Sequence, residues 1–191
     1  MSSWVPRYSA PSVGDPYYTS TQPLNPQPGA QNPYPVMSAG DFVLPNCTGL
    51  ACGRQIEQGY GAEIRPSNAF GDAATWWEAA ANFYERGQDP RIGAVAVWGG
   101  GVPPYQNAGH VGTVEDYDPD TGIISISNSA AGGFIFYMTY PSDSDPNVGM
   151  NANYFFKGYF YPAGQPKPSW FYPLISKKRR NKLYARRKHS L

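Results

Sequence analysis

Cysteine and histidine side chains can act together as nucleophile and base, and this chain of 191 residues contains two of each. Cys47 follows Pro45 and Asn46, residue types that mark the start of a helix, so the sequence predicts its thiol at a helix N-terminus. There the unpaired N–H groups and the helix dipole favour the thiolate that a sulfur nucleophile needs. Of the two histidines, His189 lies in a basic segment, which leaves His110 as the candidate base. Taken singly, each residue also fits a structural role, a buried cysteine in the core and a histidine at a strand end.

A hairpin predicted around His110 adds a third polar side chain to this pair. Two alternating strands flank the turn-forming segment DPDTG, and a pairing of Tyr117 with Ile123 would place Gly112 opposite Asn128. His110 and Asn128 then become diagonal neighbours on one face, roughly 5.5–8 Å apart. A side-chain amide at that distance can orient an imidazole for catalysis. By itself, Asn128 is equally consistent with a turn former at the end of its strand.

The second cysteine and the acidic residues are predicted to have structural positions. Cys52 lies five residues after Cys47, so on one helix the two side chains point roughly 140° apart and cannot form a disulfide. Two cysteines without neighbouring histidines also make a poor zinc site. We therefore expect Cys52 to pack in the core, and we expect no metal or other cofactor. Four acidic residues lack the spacing of a calcium loop and are predicted in a solvated hairpin turn: Glu115, Asp116, Asp118 and Asp120.

The apolar pattern predicts an α+β domain, in which helices pack on an antiparallel sheet of about five strands. Two helices are expected first, residues 46–58 before Gly59 and residues 72–86 before Gly87, because glycine commonly follows a helix end. The strands are predicted over residues 92–98, 110–117, 123–128, 134–140 and 154–161.

Composition divides the chain into three parts. Residues 1–36 hold eight of the 20 prolines and are typical of an extended arm without a core of its own. Residues 37–164 form the globular domain, and residues 165–191 are an aromatic and then strongly basic tail. Eight of the 15 Lys and Arg residues fall in residues 176–191, which leaves the rest of the chain with a net charge of −7. Such a tail could bind nucleic acid, an anionic wall polymer or an acidic protein groove, or it could simply be solvated.

No apolar run in the sequence reaches the ~18 residues of a membrane span.

Six segments, in order along the chain, resemble motifs of the CHAP domain, a cysteine- and histidine-dependent amidohydrolase/peptidase of papain-like fold. They are LPNCTGLACGR, GDAATWWEAAANF, PRIGAVAVW, GHVGTVED, ISISNS and FFKGYFYP. The resemblance implies a peptidoglycan hydrolase, either an N-acetylmuramoyl-L-alanine amidase or an endopeptidase of stem or cross-bridge peptides. Cys47 then matches the nucleophile, His110 the base and Asn128 the third residue of the site. Beside them, Asn46 is a candidate oxyanion donor, and Trp98, which precedes three glycines, is a candidate substrate-binding residue in the cleft.

Two departures from the family pattern are visible. Many members have Glu at the position of Asn128 and Asn two residues later, where this chain has Ala130. Some relatives bind calcium through aspartates just before the cysteine, whereas only Asp41 stands there, so no metal is expected.

The start of the sequence shows no signal-peptide pattern, so we expect synthesis in the cytoplasm without secretory export. The resemblance then favours a bacteriophage lysin carried on the virion tail, bound to other tail proteins through residues 1–36 and 165–191. Three alternatives stay open. They are a free endolysin, an NlpC-type endopeptidase, whose cysteine motif the segment CTGL also resembles, and a structural virion protein that keeps the fold without catalysis.

Overall fold

The described residues fold as two short helices and an antiparallel sheet. The structure, a computed structural model, describes residues 4–12, 15, 17–18, 46–60, 64, 70–104, 106–130 and 135–162. The helices are α1 (Cys47–Glu57) and α2 (Trp76–Ala80), the latter entered through a 3₁₀ turn at Ala73–Thr75. The strands are β1 (Glu85–Gly87), β2 (Val95–Gly100), β3 (His110–Asp118), β4 (Ile123–Ser129), β5 (Phe136–Thr139) and β6 (Tyr154–Tyr161).

All six strands of the described residues belong to one sheet, in the order β1-β6-β2-β3-β4-β5. Every neighbouring pair in it is antiparallel. Helix α1 packs on β3 and β4, the two strands of the predicted hairpin. This layout confirms the predicted α+β class, with one strand more than expected. In the part of the chain that the structure describes, no helix is long and apolar enough to cross a membrane.

The additional strand comes from the end of the second predicted helix. The alanine-rich pattern predicts a helix over residues 72–86, but α2 ends at Ala80 and Glu85–Gly87 pairs with residues 159–161 of β6. Alanine favours a helix locally, whereas the edge of β6 offers unpaired backbone groups to the residues that follow α2. Pairing with the sheet therefore outweighs helix propensity, and the prediction is wrong beyond Ala80.

Two apolar cores lie on opposite faces of the sheet. Alternate residues of β2 divide between them: Val95 and Val97 belong to the core that also contains Trp76 of α2, and Ala96 and Trp98 to the other. Because both faces are covered, β2 appears in the sequence as a continuous apolar run.

The β3–β4 hairpin departs from the predicted register near its turn. Tyr117 pairs with Ile124 rather than with Ile123. The turn is closed by the Gly122 N–H, which donates to the Asp118 carbonyl oxygen, and the φ angle of Gly122 is 75°, which glycine adopts without strain. The predicted register is therefore wrong by one residue at this end of the hairpin.

A β-bulge at Glu115 restores the predicted register at the other end. It adds one residue to β3 only, and beyond it Thr113 pairs with Ser127. This alignment brings Gly112 against Asn128, since a Cβ at Gly112 would lie 2.6 Å from the Asn128 Oδ1 atom. Glu115 itself turns into the interior and is fully buried. Its predicted place in a solvated acidic turn is therefore wrong.

The start of the chain packs on the domain that follows it. Within this N-terminal segment, described at residues 4–12, 15, 17 and 18, Tyr18 is fully buried against Gly53 of α1. Trp4 and Arg7 donate hydrogen bonds to Glu115 of β3. The described part of the predicted arm thus contacts this chain's own domain. The rest of the arm and the predicted tail at residues 165–191 lie outside the described residues.

Replacing Gly53 by alanine tests whether the N-terminal segment is packed on α1. A Cβ at this position would lie 2.5 Å from the Tyr17 carbonyl oxygen and 2.7 Å from the Tyr18 ring. We expect Gly53→Ala to lower the free energy of unfolding by about 1–3 kcal/mol, measured by urea denaturation. Helix propensity alone would raise it by about 1 kcal/mol, so the sign of the change is informative.

Gly71→Ala is the matched control, because its added Cβ would meet only the Thr75 hydroxyl, at 3.7 Å. For this variant we expect a change within about 0.5 kcal/mol. A Gly53→Ala protein as stable as the wild type would contradict the packing of Tyr17 and Tyr18 on α1.

Candidate active site

The side chain of Asn46 begins α1 and places Cys47 in its first turn. The Asn46 Oδ1 atom accepts from the Gly49 N–H at 3.3 Å and from the Thr48 hydroxyl at 2.9 Å, as an N-cap residue does. Cys47 therefore stands at the helix N-terminus, half-buried, where the sequence predicts it. Because the cap uses the amide oxygen of Asn46, only its amide nitrogen can serve as the predicted oxyanion donor.

The orientation of the His110 ring is set by Asn128. His110 begins β3 and is buried, and its Nε2 atom lies 3.0 Å from the Asn128 Oδ1 atom. The Asn128 Nδ2 atom donates to the Ile126 carbonyl oxygen at 2.9 Å and to the Thr139 hydroxyl at 3.0 Å. These two bonds fix the amide so that Oδ1 is the atom facing the imidazole. Nε2 is then the protonated nitrogen of the neutral ring, and Nδ1 keeps its lone pair.

Helix α1 brings Cys47 to the core that contains Val111, the second residue of β3. The backbone N–H groups of Val111, Thr48 and Cys47 itself lower the pKa of its thiol. Since Val111 directly follows His110 in β3, the thiol lies close to the strand position next to His110. Cys47 thus lies near the end of the hairpin at which His110 and Asn128 are hydrogen-bonded.

Burial keeps both the thiol and the imidazole uncharged at neutral pH. It raises the pKa of the Cys47 thiol above its ordinary value, against the opposing effect of the backbone N–H groups. It also lowers the pKa of His110 to about 4, and the hydrogen bond that His110 donates to Asn128 offsets only part of this shift. The thiolate predicted from the helix N-terminus is therefore outweighed by desolvation. The resting pair is a thiol and a neutral imidazole that can accept its proton.

Three aromatic rings surround the imidazole: Trp98 and Tyr154 at centroid distances of 5.8 Å and Tyr137 at 6.4 Å. Trp98 is fully buried, so it supports His110 from the interior, and this burial speaks against the predicted contact with substrate. Tyr137 and Tyr154 are half-buried. Burial, and then a negative charge on Cys47, raise the pKa of both hydroxyls, that of Tyr137 to about 12. The two tyrosines therefore form walls of the site within the electrostatic reach of the sulfur.

Sequence reasoning missed both tyrosines. Each lies in a predicted strand, but a strand pattern shows only which face of a sheet a residue occupies. Tyr137 lies opposite Asn128 in the β4–β5 pair, and Tyr154 lies opposite Gly100 in the β2–β6 pair. Their meeting at one histidine depends on the order of the strands in the sheet, which carries no local signal.

The second cysteine has the structural position predicted for it. Cys52 is fully buried, and its sulfur donates to the Ile64 carbonyl oxygen at 3.2 Å. Both cysteines are free thiols. Across the described ranges, no group of three or more His, Cys, Asp or Glu side chains is placed to hold a metal ion.

Residues 37–130 match the family model described as the CHAP domain. The matched region contains Cys47, His110 and Asn128. Among solved structures, the chain is similar to an N-acetylmuramoyl-L-alanine amidase from Staphylococcus aureus, with 22% sequence identity and a TM-score of 0.46. That similarity covers 61% of this chain and 30% of the amidase chain, so this chain spans under a third of that protein's length. No curated protein sequence matches the chain.

The buried His110 predicts a loss of stability in mild acid. Its pKa is about 4 in the folded chain against an ordinary value of 6.5. Between these values the unfolded chain binds a proton that the folded chain does not. The free energy of unfolding should therefore fall as the pH falls from about 6.5 toward 4, by on the order of 3 kcal/mol in total.

His110→Gln lacks this titration and is the control, because the carboxyl groups titrate in both proteins. Urea denaturation at about pH 7 and about pH 4.5 should show a larger loss for the wild type than for the variant. Equal losses would show that His110 is not held neutral by burial.

Proposed function

We propose that the chain is a peptidoglycan hydrolase that cleaves an amide bond at a site formed by Cys47, His110 and Asn128. The observation that supports this most directly is the hydrogen bond of 3.0 Å between His110 Nε2 and Asn128 Oδ1. It leaves Nδ1 of a neutral imidazole as the base for a thiol at a helix N-terminus. The CHAP family match of residues 37–130 supports peptidoglycan as the substrate class.

The reaction would begin with a proton transfer, since both groups rest uncharged. His110 takes the proton of the Cys47 thiol as the sulfur attacks the carbonyl carbon of the scissile amide. The resulting imidazolium then gives this proton to the leaving amine, and the acyl group stays on the sulfur as a thioester. Water, deprotonated by the same imidazole, attacks the thioester carbonyl carbon; the C–S bond breaks, the carboxylic acid is released, and the imidazolium returns the proton to the Cys47 sulfur. Asn128 accepts from Nε2–H throughout and holds the ring in place.

The developing negative charge on the carbonyl oxygen requires hydrogen-bond donors. We assign these to the backbone N–H of Cys47, at the unpaired start of α1, and to the amide nitrogen of Asn46. Tyr137 and Tyr154, whose rings lie against His110, would contact the substrate.

We also propose that the hydrolase acts as part of a bacteriophage tail. The basic residues 176–191 beside an acidic body support attachment to a larger, negatively charged assembly. The N-terminal segment supports this attachment less than the sequence predicts, because Trp4, Arg7 and Tyr18 contact the domain itself.

Digestion of purified peptidoglycan by the wild type, Cys47→Ala and His110→Ala tests the proposed chemistry. The wild type should release fragments with new termini, whereas each variant should lose at least about 10³-fold in rate, since each removes a group that makes or breaks bonds. Mass spectrometry of the fragments identifies the bond. Free lactyl groups on muramic acid mean amidase, and split stem or bridge peptides mean endopeptidase.

Cys52→Ala is the matched control, because it removes the other cysteine of the same helix and should keep the activity. Residual lysis by Cys47→Ala at the level of Cys52→Ala would refute the nucleophile. Absence of cleavage by a folded wild type, across several wall types, would favour a structural protein without catalysis.

A further inference from the structure

We propose that Glu115 is a positioning residue that holds the three segments of the candidate active site in place, and that the N-terminal segment completes its hydrogen-bonding shell. Glu115 is the bulged residue of β3, and its side chain is fully buried. The effect on kcat that this inference predicts rests on the proposed function, whereas its predicted effect on the alkylation rate of Cys47 does not.

Five hydrogen bonds from three other segments converge on the Glu115 carboxylate. Arg54 of α1 donates to both oxygens, from Nε to Oε1 at 2.8 Å and from Nη2 to Oε2 at 2.7 Å. The Ser127 hydroxyl of β4 donates to Oε1 at 2.6 Å. From the N-terminal segment, the Trp4 indole N–H at 3.1 Å and the Arg7 backbone N–H at 3.0 Å donate to Oε2. One carboxylate therefore joins α1, β3, β4 and the start of the chain.

Each of the three elements joined in this way also carries a residue of the candidate site. Arg54 lies seven residues after Cys47, which is two turns further along the same face of α1. Ser127 directly precedes Asn128 on β4, and the carboxylate itself belongs to β3, the strand that His110 begins. A shift of any one element relative to the others would break bonds to this carboxylate.

Because Arg54 and Glu115 form an ion pair, a shift that separates these two residues would be energetically costly. Arg54 is as deeply buried as Glu115. Burial alone would lower the pKa of Arg54, but the hydrogen bonds and charge of Glu115 outweigh this and raise it. Separating the two groups would leave both charges buried without a partner, a state that proteins avoid. The bidentate geometry also restricts the orientation of the two groups, not only their distance.

The N-terminal segment keeps water away from this pair. The Trp4 ring lies 4.9 Å from the guanidinium carbon of Arg54, and the Val5 carbonyl oxygen accepts from Arg54 Nη2 at 2.7 Å. With these contacts the Glu115 side chain has no exposed surface. Hydrogen bonds in such a dry environment are stronger than in water, so the segment contributes to the rigidity of the site.

Glu115→Gln and its matched control, Glu57→Gln, test the inference in the full chain. Both substitutions are nearly isosteric, and both remove a carboxylate bonded to Arg54. Glu57 differs because it lies on α1 itself, where it also accepts from Arg7 and Tyr18. Only the first substitution therefore weakens the connection of α1 to β3 and β4.

Two readouts should move in opposite directions in folded Glu115→Gln, measured well below its unfolding temperature. Alkylation of Cys47 by iodoacetamide, followed by peptide mass spectrometry, should become about tenfold faster, because a looser α1 exposes the half-buried thiol. The kcat for peptidoglycan should fall about 100-fold with KM little changed, since a displacement of about 1 Å costs that much. Glu57→Gln should stay within about twofold of the wild type in both readouts.

Unchanged alkylation and kcat in folded Glu115→Gln would overturn the inference, as would equal effects of the two substitutions. If Glu115→Gln does not fold, Ser127→Ala decides, because it removes only the hydrogen bond from β4 and should show both effects at smaller size. A wild type without hydrolase activity would refute the proposed function, and the alkylation contrast would still support or overturn the positioning role.

The N-terminal segment is tested by Trp4→Ala against Tyr8→Ala, an exposed aromatic residue of the same segment. Trp4→Ala should accelerate the alkylation of Cys47, by less than Glu115→Gln does, and Tyr8→Ala should not. Equal rates for these two variants would overturn the contribution of the segment.

Discussion

The β3–β4 pairing accommodates one extra residue on β3, and the position of that residue, Glu115, decides the geometry of the site. If the pairing next to the turn continued without the bulge, Asn128 would face Thr113 instead of Gly112. Since side chains alternate between the faces of a strand, this slip would separate Asn128 from His110 by the whole sheet. The bulge thus aligns the amide with the imidazole, and it also directs the carboxylate toward α1. One backbone irregularity serves both the candidate site and the ion pair behind it.

The two buried polar groups of this region, Glu115 and His110, differ in the partners that surround them. Glu115 forms an ion pair with Arg54 and accepts five hydrogen bonds, two from Arg54 and three from Ser127, Trp4 and Arg7. His110 has only the neutral Asn128 amide as a partner, so burial lowers its pKa to about 4 and the ring is neutral. A neutral imidazole is the form that can accept a thiol proton. The Arg54–Glu115 ion pair thus joins α1 to β3, whereas His110 stays neutral and can act as the proposed base for Cys47.

The described N-terminal segment lies outside the region that matches the CHAP domain, which begins at residue 37. It nevertheless contacts α1 through Tyr18 and β3 through Trp4 and Arg7. The glycine at position 53 makes this contact feasible, because any larger residue would collide with the backbone at Tyr17. The part of the molecule that surrounds Glu115 thus combines the matched domain with a segment from beyond it.

The sequence by itself determined the α+β class, the start and end of α1, the core position of Cys52 and the proximity of His110 and Asn128. These depend on signals within a few residues, such as the Asn46 cap, a glycine after a helix and alternation along a strand. Only the tertiary structure decided the charge state of Cys47 and the burial of Trp98, together with strand β1 and the inward turn of Glu115. These depend on desolvation and on contacts between distant residues, as the 61 positions between Arg54 and Glu115 illustrate. Local patterns cannot encode such contacts, because they arise only when the sheet and α1 are assembled.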